Sequence, residues 1–153
     1  MIATLKLMLR LLKVREENRL AAVRRLRAEG AQIGGVVGQL DHFAREYREQ
    51  MVSRGLQGTT PAELMATLDF ERKLSHTARN QQQLLSQIEN NLAQATAQAA
   101  QARLRAQGVQ KMLDRKRALL FEQRARAESR EIEESVAARQ MIAGMNAAED
   151  PSS

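Results

Sequence analysis

The chain is most constrained by an apolar seam with a period of 3.5 residues, which runs nearly from end to end and breaks once. Counted in alternating steps of four and three, a first run extends from Leu5 to Met51 and a second from Leu74 to Leu113. The first run is interrupted only at Glu16, Arg19 and Gly30. The apolar residues of each run are buried from water only if that helix packs against a facing helix. The pattern therefore predicts an all-α protein, in which two long helices form an antiparallel coiled-coil hairpin.

Turn and cap residues predict where these helices begin and end. Thr60 precedes Pro61, and Glu63 follows three residues after Thr60, which is a capping box with proline at the first helical position. The segment 53–59 contains two glycines and suits a chain reversal. The prediction is a single hairpin over 1–146 followed by a disordered tail, with these segments: helix one about 4–51, loop 53–60, helix two about 61–145, and tail 147–153.

Antiparallel pairing across that loop makes helix two the longer partner. The predicted register places Tyr47 near Leu68 and Leu5 near Gln110. Helix two is therefore expected to overhang helix one from about Lys111 onward. Four glycines between 30 and 38 allow two interpretations, a locally weak helix or a hinge.

Composition argues against a globular core and against several classes of function. Aromatic residues make up 3% of the 153 residues, and the chain has no Trp and no Cys. The apolar N-terminal stretch is interrupted by Lys6, Arg10 and Lys13 and falls short of the roughly 20 residues that span a bilayer. These features predict a soluble, cytoplasmic protein, while a role at a membrane surface stays open.

Charge is concentrated in two segments that the hairpin would bring together. Residues 1–28 contain eight basic and two acidic residues, and residues 103–130 contain nine and three, so each segment carries +6. The rest of the chain is −6, because the whole chain is +6. The end of the hairpin where both basic segments meet would attract an acidic partner. The alternatives are a solvated face, a protein contact, nucleic acid and an anionic membrane. Aromatic residues are not interleaved with the cations for stacking on bases, since Phe121 is the only one in the two segments.

Residue patterns typical of enzymes are missing. His42 and His76, with Asp41, are a weak candidate for zinc, and two surface histidines are the simpler interpretation. The stretch 34–38 is rich in glycine but lacks the Lys-Ser/Thr of a phosphate-binding loop. We therefore expect no enzymatic activity, no metal and no cofactor.

Three of the four aromatic residues flank the predicted loop. Phe43 falls one residue off the seam, so its ring is expected to be partly exposed. The cluster either closes the end of the coiled coil or forms a binding hot spot. Its members are Leu40, Phe43, Tyr47, Phe70 and Leu74.

The segments 39–48 and 68–74, on either side of the glycine-containing break, resemble the FliJ family. FliJ is the stalk component of the flagellar type III export ATPase, with YscO-type relatives in virulence secretion. Val36, Gln81, Glu133 and the absence of Trp depart from the family pattern, so flagellum and injectisome both remain open.

The resemblance implies a stalk and adaptor that inserts its terminal end into a hexameric export ATPase and contacts the membrane export gate with its loop-proximal patch. Partners would then be the ATPase, the gate and other export chaperones, with no nucleic acid, at the cytoplasmic side of the export apparatus. Gate binding would fall to Leu40, Phe43, Tyr47, Phe70 and Leu74. The residues expected at the ATPase ring are Leu5, Met8, Leu12, Lys111, Arg115, Lys116 and Arg117. The alternatives are a basic coiled coil that binds nucleic acid or anionic membrane, and a homodimeric scaffold.

Overall fold

The computed structural model describes residues 1–149, and these form two long helices. Helix α1 spans Ile2–Gln57 and helix α2 spans Pro61–Glu149, with no strand in the described part of the chain. The two helices pack on each other, which confirms the predicted all-α helical hairpin. Within 1–149, neither helix contains a stretch apolar and long enough to cross a bilayer.

The predicted start of helix one and the predicted end of helix two need correction. Helix α1 begins at Ile2 instead of residue 4, and α2 runs to Glu149, so residues 147–149 are helical. The rest of the predicted tail, residues 150–153, lies outside the described residues. The sequence 146–149 contains two alanines and a glutamate, which are strong helix formers, and this explains the extension.

The predicted loop 53–60 is wrong over most of its length, because the connector comprises only 58–60. A single glycine at 55 weakens a helix without ending it, and α1 continues for six residues past Met51. Gly58 ends α1 because its φ of 91° lies in the left-handed region, which residues with a Cβ rarely adopt. Its N–H donates to the carbonyl oxygen of Gly55 at 3.4 Å.

Helix α2 begins with the predicted cap. The Thr60 hydroxyl oxygen accepts a hydrogen bond from the Glu63 backbone N–H at 3.2 Å. The Glu63 carboxylate accepts from the Thr59 hydroxyl at 3.0 Å, where a reciprocal capping box would use the Thr60 amide. These contacts stabilise the start of α2 directly after the reversal.

The described chain groups into two compact units. The loop unit is Leu12–Leu104, and the terminal unit is Met1–Leu11 with the chain from Arg105 onward. Of the seam positions predicted above, all except Arg19 are buried or half-buried in their own unit. The seam therefore marks the helix-facing side of both helices.

In the loop unit, side chains that are far apart in sequence show the antiparallel pairing. Arg19 donates to Gln98 at 2.9 Å, and Arg48 donates to Glu71 at 2.8 Å. The buried residues here are Val23, Leu74, Ile88, Ala99 and Ala102. Two of the five are alanines, so this section buries little apolar surface per residue.

The register differs from the predicted one by two residues. Tyr47 packs on Phe70 rather than on Leu68. The difference follows from the connector, because a reversal centred on 58–60 lies later in the chain than one centred on 53–60.

The glycines of α1 lie within one continuous helix. A Cβ placed on Gly30 would meet Ile88 Cγ2 at 3.4 Å, whereas one on Gly34, Gly35 or Gly38 would meet nothing within 4 Å. Close helix packing therefore accounts for a glycine at position 30 only.

The terminal unit has its own buried core, made of Leu5, Leu9, Ala106, Val109 and Leu113. The ammonium of Lys116 contacts the sulfur of Met1 at 2.8 Å. From Arg117 to Glu149 every residue of α2 is exposed. The overhang therefore begins about six residues later than predicted, because α1 starts earlier and the register is shifted.

Candidate partner-binding surfaces

Three aromatic rings form one cluster near the connector. Phe70 of α2 lies between two rings of α1. Its centroid is 6.3 Å from that of Phe43, in an edge-to-face arrangement, and 4.8 Å from that of Tyr47. Both distances suit favourable aromatic pairs. The rings therefore hold one another in place across the two helices.

The predicted gate-binding residues form a layered surface, which we call the loop-proximal patch. Phe43 and Phe70 are exposed by 49% and 42%. Tyr47 and Leu40 are half-buried, and Leu74 is buried. The patch thus combines buried and half-buried side chains, which are held by packing, with two aromatic rings that are exposed to water. This arrangement is typical of a binding hot spot. The structure places all five residues in the same unit.

An ion pair beside the rings links the same two helices. Arg48 Nε lies 2.8 Å from Glu71 Oε1, and the Glu71 side chain is 27% exposed. Partial burial makes this pair less screened than a fully exposed one. This pair was not predicted from the sequence, because it depends on the register between the two helices.

A hollow of about 260 Å³ adjoins the patch at Tyr47. Its apolar lining comes from Met51 and Leu64, and Arg54 and Glu63 contribute charged groups. Val52, Leu56 and Met65, which follow in the same part of the chain, are exposed. Apolar residues at off-seam positions are the signal that identifies this surface in the sequence.

Positive charge is concentrated in two segments of the terminal unit, while its segment 131–149 contains one basic and four acidic residues. Its segments 1–11 and 105–130 contain ten basic and three acidic residues. Among its described residues the only ion pair joins Arg126 to Glu122. The excess of cations is therefore available to an acidic partner.

The residues predicted to contact an ATPase ring differ in accessibility. Leu5 is buried between the helices and Lys116 is half-buried, whereas Met8 is 45% exposed. Lys111, Arg115 and Arg117 are also exposed. Leu12 belongs to the loop unit, where it is half-buried.

A second hollow, of about 260 Å³, lies within the terminal unit. Its lining combines apolar side chains with two cations, from Met1, Leu5, Met112, Leu119, Arg115 and Lys116. Two exposed side chains of the same unit, Leu7 and Leu11, are not among the residues predicted from the sequence. Their off-seam positions in an apolar stretch are the signal for them.

The histidines make local contacts within α1 and α2. His42 lies 3.0 Å from Glu46, and His76 lies 3.3 Å from Asn80, each one helical turn away. No group of three metal-ligating side chains occurs among residues 1–149.

Comparison with known proteins agrees with the helical hairpin. Residues 1–146 match the family described as "Flagellar FliJ protein". No curated protein and no solved structure matches the chain. The family match covers all but the last seven of the 153 residues. The chain belongs to the FliJ family and is thus a component of flagellar type III export.

Proposed function

We propose that this chain is a non-catalytic stalk and adaptor, which couples a hexameric export ATPase to the membrane export gate. It would act at the cytoplasmic side of the export apparatus, with one end in the ATPase ring and the loop-proximal patch on the gate. Other export chaperones are further partners in this proposal.

The half-exposed aromatic cluster is the observation that carries the proposal. Phe43 and Phe70 together leave a large apolar surface in water, although each ring is already positioned by its neighbours. Preorganised aromatic side chains bind with little further loss of conformational entropy. A gate segment with apolar side chains would cover these rings.

The terminal unit supports the second contact. Its unpaired cations suit an acidic ring lining, and electrostatic attraction would speed association. Direct contact falls to the exposed residues Met8, Lys111, Arg115 and Arg117. Leu5 would contribute indirectly, because its side chain fills the interior of the helix pair.

The test is ATP hydrolysis by the cognate export ATPase, titrated with the purified protein over a range of salt concentrations. We expect stimulation that saturates near one chain per ring and weakens as salt screens the cations. Absence of stimulation at every ratio would contradict the proposal.

Absence of stimulation together with a dimeric mass by light scattering would favour a homodimeric scaffold. The exposed apolar side chains of the overhang are the surface available for such a dimer.

A further inference from the structure

The first turns of α1 carry apolar side chains on two sides, and α2 covers only one of them. Leu5 and Leu9 are buried against α2. Leu7 and Leu11 are one turn apart and, at about 100° per residue, lie on the opposite side of the helix. They are 56% and 64% exposed, and Met8 beside them is 45% exposed. We call Leu7, Met8 and Leu11 the outer face.

The outer face is accompanied by positive charge that no carboxylate in the same stretch of α1 compensates. Lys6 and Arg10 lie on the flank of α1 between the outer face and the buried face, as their spacing requires. The first acidic residue of the chain is Glu16. Neither Lys6 nor Arg10 forms an ion pair in the described part of the terminal unit. A partner must therefore offer both an apolar layer and negative charge.

An anionic bilayer offers this combination. Helices that lie on membranes place apolar side chains at the acyl boundary and direct lysines and arginines to the lipid phosphates. Nucleic acid offers the phosphates without an apolar layer for the leucines. We propose that the outer face binds the surface of an anionic lipid bilayer, with Leu7, Met8 and Leu11 in the boundary region and Lys6 and Arg10 on the headgroups.

The helix would lie on the bilayer, because neither described helix is able to span one. The proposal does not rest on the contact with an export ATPase. If both contacts occur, bilayer and ring compete for the same end of the chain.

Vesicle flotation tests the proposal with the full-length protein. The vesicles contain either phosphatidylcholine alone or phosphatidylcholine with an equal amount of phosphatidylglycerol. We expect flotation with the acidic vesicles, little with the neutral ones, and a decrease as salt is added. The variant Leu7→Gln/Leu11→Gln should bind about tenfold less, since it removes the apolar part of the contact.

The matched control is Val52→Gln/Leu56→Gln, which also replaces two exposed apolar side chains one helical turn apart by glutamine. It does so in the loop unit, where Val52 and Leu56 are 66% and 85% exposed. This control should float as the unaltered chain does, and circular dichroism should report equal helicity for both variants. Failure of the unaltered chain to float, or equal flotation with neutral vesicles, would overturn the proposal. So would unchanged flotation of the Leu7/Leu11 variant, since attraction to phosphate alone would then suffice. Loss of ATPase binding by that variant, without any flotation of the unaltered chain, would identify the outer face as a protein contact instead.

Discussion

Phe70 connects the two helices through its contacts with Phe43 and Tyr47, and it is itself partly exposed. An aromatic side chain in this position stabilises the contact between the two helices and also remains accessible to a partner. Single residues of this kind carry most of the energy of a protein interface. The loop-proximal patch is therefore where substitutions separate binding from folding most clearly.

Replacing Phe43 and Tyr47 by alanine should weaken binding to the cytoplasmic part of the export gate by at least about tenfold. Phe43 supplies exposed apolar surface and Tyr47 holds the exposed ring of Phe70 in place, while alanine keeps the helix propensity. Isothermal titration calorimetry measures the affinity, and circular dichroism measures the helicity.

Phe121→Ala is the control for that change, because Phe121 is 77% exposed on the overhang and lies outside the patch. It should leave gate affinity unaltered. Equal affinities for the double variant and the unaltered chain would remove Phe43 and Tyr47 from the interface.

Gly55 and Gly58 should respond oppositely to the same substitution. Gly55 is helical with open space around its Cβ position, so Gly55→Ala should raise the unfolding free energy by up to about 1 kcal/mol. Gly58 has a φ of 91°, so Gly58→Ala should lower it by about 1 kcal/mol or more. Urea unfolding of both variants measures the difference, and changes of the same sign would contradict the assigned end of α1.

At the scale of elements, the part of α2 that directly follows its last buried residue, Leu113, carries three cations close to the apolar hollow of the terminal unit, namely Arg115, Lys116 and Arg117. Three cations in succession surround the helix rather than lining one face. An ATPase ring that encloses the helix would contact both exposed cations, Arg115 and Arg117, which lie about 200° apart around α2, whereas a flat partner would not.

Reversal of Arg115, Lys116 and Arg117 to glutamate should abolish most of the stimulation of the export ATPase. The change inverts three charges at the proposed contact, from +3 to −3, which turns attraction into repulsion. The control reverses Arg45, Arg54 and Lys73, which are exposed in the loop unit. Equal stimulation by both triple variants would exclude a specific basic contact.

The elements themselves were predictable from the sequence, because the 3.5-residue period depends only on local spacing. Burial of Leu5, Val23 and Leu113 follows directly from that period. The connector was harder, since a glycine at 55 is compatible with either a turn or a helix. Because the connector was placed too early in the chain, the predicted register and the predicted start of the overhang were also wrong.

The candidate site was predictable to a similar degree. The cluster of Phe43, Tyr47 and Phe70 followed from proximity to the reversal, and the partial exposure of Phe43 followed from its off-seam position. The hollow beside Tyr47 and the Arg48–Glu71 pair depend on the register between the helices. Such contacts require coordinates, because a shift of two residues changes each partner.

At the scale of the whole molecule, a large part of α2 contributes nothing to the buried core. Residues 117–149 are exposed throughout, although Phe121, Ile132 and Met141 are large and apolar. A helix without a packing partner is marginal in water. Its stability in the cell therefore depends on continuity with the packed part of α2 and on whatever covers it.

A chain that ends at Leu120 should unfold with a free energy within about 1 kcal/mol of the full chain, because the deleted residues bury nothing. Its molar ellipticity per chain at 222 nm should fall by about a fifth, since 121–149 are 29 of the 145 helical residues. Urea unfolding and circular dichroism check both values. A loss of several kcal/mol would mean that the overhang supports the helix pair.

The uncovered overhang also makes this protein sensitive to proteases, and this sensitivity should depend on whether a partner is bound to the overhang. Arg117, Arg124, Arg126, Arg130 and Arg139 are all accessible on a helix that no other part of the described chain shields. Transient opening of such a helix exposes its peptide bonds to trypsin far more often than opening of the paired segments. Cleavage should therefore begin in the overhang of the free protein and slow down once a partner encloses it, so a simple digest distinguishes the assembled from the unassembled state.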